Sequence, residues 1–478
     1  MQTSISRIGA ISLVAVLAGC NVGPKYTRPN VPAPPAYRGA DDAAVASAAQ
    51  GSLGDEKWAD VFRDPQMQAL IQEALKNNYD LRIAAERIAE QQAQVRITRA
   101  GQLPTLGATV EGVGPGLPIG QSSGSGNNNS SSGSSSSNTQ GVGVFGLSAV
   151  WNPDFWGLYR KQTEAQKAKL LGQVWAQREV RMTLVEQVAA AYIQLRTLDN
   201  ELEIAKSTVK SRQDSLGLTS RLEKGGAAPL SDVRQAEQLL YTATAEIPQL
   251  EQQIQQQENA IHVLLGDNPG PIVRTGANVV ATPPLDLPVG LPSQLLERRP
   301  DIQQVETDLV AANANIGVAR AQFFPQLSIN GVAELAGESF PSIFNGSGKS
   351  LYLLGSLTQA IFEGGKLKGQ VQLAEAQQRE LVLTYGKTVQ GAFRDVSNAL
   401  IAVNKQKAYR EEQEKLVASA QDAVRLARMR YQGGATSYLE VLTTDSNLFT
   451  AQLSLAQAQQ AEALTLVQLY QALGGGWQ

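Results

Sequence analysis

The stretch Arg430-Tyr-Gln-Gly-Gly-Ala-Thr-Ser-Tyr-Leu-Glu-Val441 interrupts one helical pattern and starts another. The same punctuation stands earlier as Glu223-Lys-Gly-Gly-Ala-Ala-Pro-Leu-Ser-Asp-Val233, with Gly225 and Gly226 aligned on Gly433 and Gly434 at an offset of 208 residues. Upstream, Arg99-Ala-Gly-Gln-Leu-Pro-Thr-Leu is echoed by Arg320-Ala-Gln-Phe-Phe-Pro-Gln-Leu at an offset of 221, and Phe155-Trp-Gly by Phe362-Glu-Gly at 207. Equal order with slightly unequal offsets means two copies of one unit, and a repeat of that length decides architecture before any local pattern does.

Each copy reads as a long helical hairpin. No proline occurs from Leu158 to Glu223, where Leu184, Val188, Ala191, Leu195, Leu198, Leu202, Ala205, Val209 and Leu216 keep a 3-4 spacing with Arg212 as the one polar slot. The run would span roughly 100 Å as a helix. After the glycine turn the pattern returns through Val233, Ala236, Leu240, Ala243, Ile247, Leu250, Ile254 and Ile261, with Pro248 inside it. A proline there removes a backbone hydrogen bond and predicts a bend. Asp267-Asn-Pro-Gly270 stops it. The second copy repeats the design, Lys366–Tyr431 out and Tyr438–Leu473 back.

Between the proline and phenylalanine echoes lie strand candidates. Leu106–Val113 and Gly141–Trp151 flank a Ser/Gly/Asn tract from Gln121 to Thr139, while Gln326–Ala336 and Leu351–Phe362 flank a second Gly/Ser-rich loop. Strands of about ten residues joined by polar loops have the length of membrane-spanning β-strands. Four strands cannot close a barrel, and open edges are not tolerated in lipid, so several copies must share one.

The start of the chain is an address. Arg7 precedes the apolar run Ile8 to Ala18, and Leu17-Ala-Gly-Cys20 follows. A basic region, a short apolar region and small residues make a secretory signal, too short to span a bilayer. Cys20 is the only cysteine of the sequence and falls where a lipobox needs it. The expectation is a lipid on Cys20 as the mature first residue, with a second membrane contact elsewhere, because one lipid group anchors weakly.

The organisation expected is therefore a signal peptide at 1–19 and a lipid-anchored extended arm at 20–60. The first copy follows, with a helix at 61–103, a β-hairpin with a polar outer loop at 104–152 and a long helical hairpin at 153–270. A linker at 271–291 leads to the second copy: helix 292–324, β-hairpin 325–362, helical hairpin 363–473 and a tail at 474–478. The fold class is mainly α with transmembrane β.

Composition excludes several functions. A net charge of −3 with 18% charged residues gives no basic excess for nucleic acid. One Cys and one His exclude an internal disulfide and a Cys/His metal site. His262 reads as a helix-surface residue with no partner. Glu297, Arg298, Arg299 and Asp301 could be taken for a charged catalytic group, but Pro300 and Asp301 fit a helix start. No nucleophile elbow, P-loop or dinucleotide fingerprint occurs. The remaining readings are a passive duct, for small-molecule efflux or for one-step protein secretion, and a non-conducting coiled-coil lipoprotein.

Taken together, Cys20-Asn-Val-Gly-Pro-Lys-Tyr-Thr-Arg-Pro29, Leu296-Glu-Arg-Arg-Pro-Asp-Ile302, the two proline-to-strand passages and the two glycine tips resemble the TolC-like outer membrane factor family, in its OprM/NodT-type lipoprotein branch. The resemblance covers nearly all of the mature chain. It implies a homotrimer sharing a 12-stranded β-barrel in outer membrane lipid and an α-helical periplasmic barrel. It also implies a periplasmic adaptor (membrane fusion) protein and a proton-driven inner-membrane pump as partners, and no cofactor beyond the lipid on Cys20. In the family a Tyr before the second tip bonds an Asp after the first and holds the duct shut; here Tyr431 and Asp232 match. Thr436 stands where the family has an Arg and Thr443 where it often has an Asp, so a weaker lock is expected. An acidic ring at this periplasmic gate would consist of Glu440, alone or with Asp445.

Overall fold

The computed structural model describes residues 22–39, 51–113, 142–274, 288–337 and 348–477. Cys20 and the tract from Gln121 to Thr139 lie outside the described residues. The elements, in chain order, are α1 (Trp58–Val61), α2 (Pro65–Asn77), α3 (Tyr79–Ala100), β1 (Thr105–Val113), β2 (Val142–Trp151), α4 (Leu158–Lys224) and α5 (Leu230–Leu265). The second copy supplies α6 (Pro292–Arg298), α7 (Pro300–Ala321), β3 (Gln326–Gly337), β4 (Gly348–Thr358), α8 (Lys366–Gln432) and α9 (Tyr438–Ala472). The duplication is carried into the backbone. Both α4 and α8 have 67 residues at the 208-residue offset, and both α3 and α7 have 22 at the offset of 221.

The first helix differs from its sequence pattern, which runs unbroken to Arg99. Asn78 splits it. Its buried side chain donates to Leu264 O at 2.9 Å and accepts from Leu81 N at 3.1 Å, so it both ends α2 and caps α3. In the second copy the break falls at Arg299, between Arg298 and Pro300, the same repeat position. Arg299 donates to both oxygens of Asp301 at 3.0 and 2.7 Å, and to Ala472 O at 3.2 Å. Arg298 pairs with Asp55 at 2.6 Å. The charged cluster is thus a fastening around a helix start. His262 is half-buried rather than at the surface, and neither ring nitrogen has a hydrogen-bond partner.

Two compact units emerge. One takes in the arm up to Thr27 with residues 90–170 and 308–381. It holds a four-stranded antiparallel sheet in the order β1-β2-β3-β4. The register sorts the side chains by face. Leu106 pairs with Ala149, Trp151 with Ile329, Leu327 with Leu357 and Ala333 with Leu351, which sets one face apolar. The opposite face carries Thr105, Thr109, Ser148, Asn330, Glu334 and Ser356, with Tyr352 and Leu354 among them. The leucines of the outer strands on the apolar face are bare, with Leu106 at 84% and Leu351 at 80% exposure, while Leu327 and Leu335 of β3 are half-buried. Below the sheet, Trp156 stacks on Phe324 at 4.7 Å and donates to Pro325 O at 2.8 Å, fixing the end of the first hairpin to the start of β3.

The other unit comprises residues 28–89, 171–307 and 382–478. Its core gathers Ile71, Val188, Leu195, Ile261, Tyr385 and Leu469 from α2, α4, α5, α8 and α9. Burying each such side chain stabilises by about 1.5–3 kcal/mol. Ala189, Ala205, Ala243 and Ala392 are fully buried beside them, and small side chains let the helix backbones approach. The arm is fastened rather than loose. Arg28 pairs with Glu306 at 2.8 Å and donates to Tyr385 Oη at 3.2 Å, and Gly39 O accepts from Asn404 at 3.3 Å.

Candidate functional site

Both helical hairpins turn by the same hydrogen-bond pattern. In the first, Ala227 N bonds Leu222 O at 2.8 Å and Gly226 N bonds Glu223 O at 2.9 Å; in the second, Ala435 N bonds Arg430 O at 2.8 Å and Gly434 N bonds Tyr431 O at 3.0 Å. This Schellman arrangement needs a left-handed residue, and Gly226 (φ 73°) and Gly434 (φ 69°) supply it without the cost a Cβ would bring.

The two tips come together. Tyr431 donates its hydroxyl to Asp232 Oδ2 at 3.2 Å, so the pair named from the sequence is joined, one residue from each repeat. The Tyr431 ring meets Tyr438 edge-on at 5.2 Å. Burial, then the charges of Asp445 and Tyr431, push the Tyr438 hydroxyl up to about 12. Glu440 is half-buried and not a bare carboxylate. Arg430 Nη1 lies 2.8 Å from its Oε1, and Thr436 donates to its other oxygen. Thr436 therefore serves Glu440 on its own helix end, and Thr443 is exposed with its hydroxyl turned back to Leu439 O at 2.9 Å.

Asp445 is placed differently from Glu440. It is buried, with 7% of its side chain exposed. Arg212 Nε donates to its Oδ2 at 2.8 Å and Arg428 Nη2 to its Oδ1 at 2.9 Å. Arg212, itself 3% exposed, also donates to Leu239 O at 2.7 Å and lies over the Phe449 ring at 5.1 Å. Arg428 reaches Ser211 Oγ at 2.8 Å. Within the protomer this carboxylate faces two guanidiniums. Removing one partner of such a buried pair costs about 3–5 kcal/mol. The sequence reading missed Arg428 and Ser211. The signal that could have found the cluster was Arg212, the single polar residue in the apolar seam of α4.

The model of the outer membrane efflux protein family matches residues 70–267 and 291–475, well over half of the chain. The chain belongs to the outer membrane efflux protein family. It is similar to the cation efflux system protein CusC of Escherichia coli O6:H1, 33% identical over 462 residues that cover 97% of each chain. It is also similar to the toluene efflux pump outer membrane protein TtgC of Pseudomonas putida, 35% identical over 468 residues covering 97% of this chain and 94% of that one. A crystal structure of CusC superimposes with a TM-score of 0.81 at 30% identity, over 96% of this chain and all of that one. The protein is thus an outer membrane component of an efflux system, a duct rather than an enzyme, and the family implies no cofactor.

Proposed function

We propose that three copies of this chain form the outer membrane duct of a tripartite efflux system, carrying small molecules outward without chemical change. The observation that carries this is the sheet. It has one apolar and one mostly polar face, and among the described residues its outer strands β1 and β4 each leave an edge unpaired within the protomer. Unpaired edges cannot persist in hydrocarbon, and joining β4 of one copy to β1 of the next satisfies them. Three copies give a barrel of twelve strands, with the apolar face toward lipid and the polar face toward the lumen. The two glycine tips close the periplasmic end, where a periplasmic adaptor and a proton-driven inner-membrane pump engage. Tyr431, Asp232 and Glu440 belong to that closure, with Asp445 behind them. A lipid on Cys20 is the second anchor; mass spectrometry of the mature N-terminal peptide reads it, and an unmodified peptide refutes it. The names of CusC and TtgC point to cations and to toluene, so the scaffold is not tied to one cargo. The purified chain in a planar bilayer should conduct, and its mass should be that of three copies. A non-conducting particle, or one of another copy number, would overturn the reading.

A further inference from the structure

We infer that Asp445 is the joint through which the two glycine tips open together, a role that rests on reading the tips as the closed end of a duct.

Asp445 lies on α9 and holds Arg428 of α8. It also holds Arg212 of α4, whose second donor reaches the backbone of α5 at Leu239. Arg428 returns to α4 through Ser211. One carboxylate thereby ties all four helices of the two hairpins, with an ionic bond on each of its oxygens. The catch between Tyr431 and Asp232 lies closer to the glycine turns and joins α8 to α5.

The two fastenings differ in burial. Tyr431 and Asp232 are half-buried, so water can replace their bond as it breaks. Arg212 and Asp445 are nearly sealed, and parting them would leave two charges without solvent. Any motion that frees the tips therefore breaks the catch and keeps the clamp. Tyr438 connects the two layers. It is buried two helical turns before Asp445 on α9 and packs edge-on against the Tyr431 ring. With the clamp intact the hairpins of the two repeats move as one body; with it cut, each tip moves on its own.

The test is a double-mutant cycle on the full-length channel in planar bilayers, combining Tyr431→Phe with Asp445→Asn and reading open probability. A second cycle uses Arg428→Met, which cuts only the half-exposed arm and leaves Arg212 on Asp445. Thermal stability is followed in parallel. The expected result is coupling: the gain in open probability from Tyr431→Phe changes by a factor of about 3 or more when the clamp is cut, and Arg428→Lys restores part of it. Independent multiplication of the two effects in both cycles, with only the melting temperature lowered, would reduce the clamp to packing and overturn the inference. A wild-type chain that never conducts would remove the duct reading itself.

Discussion

Tyr431 on α8 and Asp232 on α5 stand 199 residues apart in sequence and 3.2 Å apart in space, hydroxyl to carboxylate. The bond crosses from one repeat to the other. Cutting it with Tyr431→Phe and Asp232→Ala removes about 1 kcal/mol per copy, more where the carboxylate strengthens it. That corresponds to a shift of about fivefold in each copy's open-to-closed ratio, and single-channel recordings should show it as a rise in open probability. Burial, and then the Asp232 charge, raise the Tyr431 hydroxyl above its ordinary value of 10. The neutral hydroxyl is the form the fold prefers, so the catch is whole below pH 10 and weakens only as pH climbs through the raised value. Recordings between pH 6 and 9 should show no pH-dependent loosening from this pair.

Glu440 and Arg430 form a solvent-facing pair at the second tip, 2.8 Å apart, with Arg430 exposed and Glu440 half-buried. The carboxylate charge is offset by its neighbour, and a solvent-facing pair contributes at most about 1 kcal/mol to stability. Charge at a constriction acts on permeating ions even where it hardly affects folding. Arg430→Gln should therefore raise cation selectivity, and Glu440→Ala should lower it, with melting temperatures nearly unchanged. Reversal potentials in a salt gradient measure both. Equal potentials in the two variants would place the constriction elsewhere, with the exposed Leu439 beside half-buried Leu442 as the nearest apolar ring.

Glu201 is a buried carboxylate on α4 whose titration is raised, first by desolvation and then by the charge of Glu246, against a hydrogen bond from Gln457. The folded chain holds its proton more tightly than the unfolded chain does. The stability this gives is complete below pH 4.5 and is lost as pH rises through the raised value. At neutral pH the ionised group is a burden that Gln at this position would lift. Glu201→Gln should raise the melting temperature at pH 7 and leave it unchanged at pH 4; a lower value at pH 7 would mean that the carboxylate is needed.

The repeat made the architecture readable. Two glycine turns and two proline echoes set the helix and strand order, because turn chemistry and periodicity are local properties. The pairing of Tyr431 with Asp232 was legible from the family resemblance. The Asn78 break was not, since a polar residue in an amphipathic helix looks like its solvated face until Leu264 O is known to receive its amide. The sheet faces were also hidden. Read singly, β4 places Tyr352 and Leu354 beside Leu351 and Leu353 and shows no polar alternation; the pleat separates the two pairs, and only the register against β3 tells which side is the apolar one. The clamp on Asp445 lay beyond the sequence because its partners come from three helices, up to 233 residues away.

Arg274 follows α5 and bridges two helices. Its Nε lies 2.8 Å from Asp199 Oδ2 on α4, and its Nη1 bonds Glu258 on α5, while Glu258 also accepts from Ile272 N at 3.2 Å. All three side chains are largely buried. Arg274→Met leaves Glu258 without its cation and Asp199 with only the more distant Arg196, 3.9 Å away, at a cost on the order of 3 kcal/mol. Denaturant midpoints should fall accordingly, and the loss should shrink as pH falls into the range where Asp199, whose titration burial raises, takes up its proton. A loss independent of pH would mean that the guanidinium acts by packing alone.

The faces of the sheet give the sharpest test of membrane insertion. Leu353 and Ser356 lie three residues apart on β4, on opposite sides. Leu353 is paired with Gly331 on the apolar face and is 76% exposed in the protomer. If that face meets lipid, Leu353→Arg places a charge in hydrocarbon, at a cost of about 2–4 kcal/mol near the midplane in each copy. Three copies multiply the effect, and the variant should fail to insert while its helical circular dichroism remains. Ser356, paired with Ser328 on the polar face, would point into the lumen. Ser356→Arg should insert normally and make the pore less favourable to cations, because the new charges line a water-filled path. Liposome flotation reads the first variant and reversal potentials the second. Should Leu353→Arg insert and Ser356→Arg fail, the sheet faces the other way round; should both insert with unchanged currents, the sheet is not the wall of the pore.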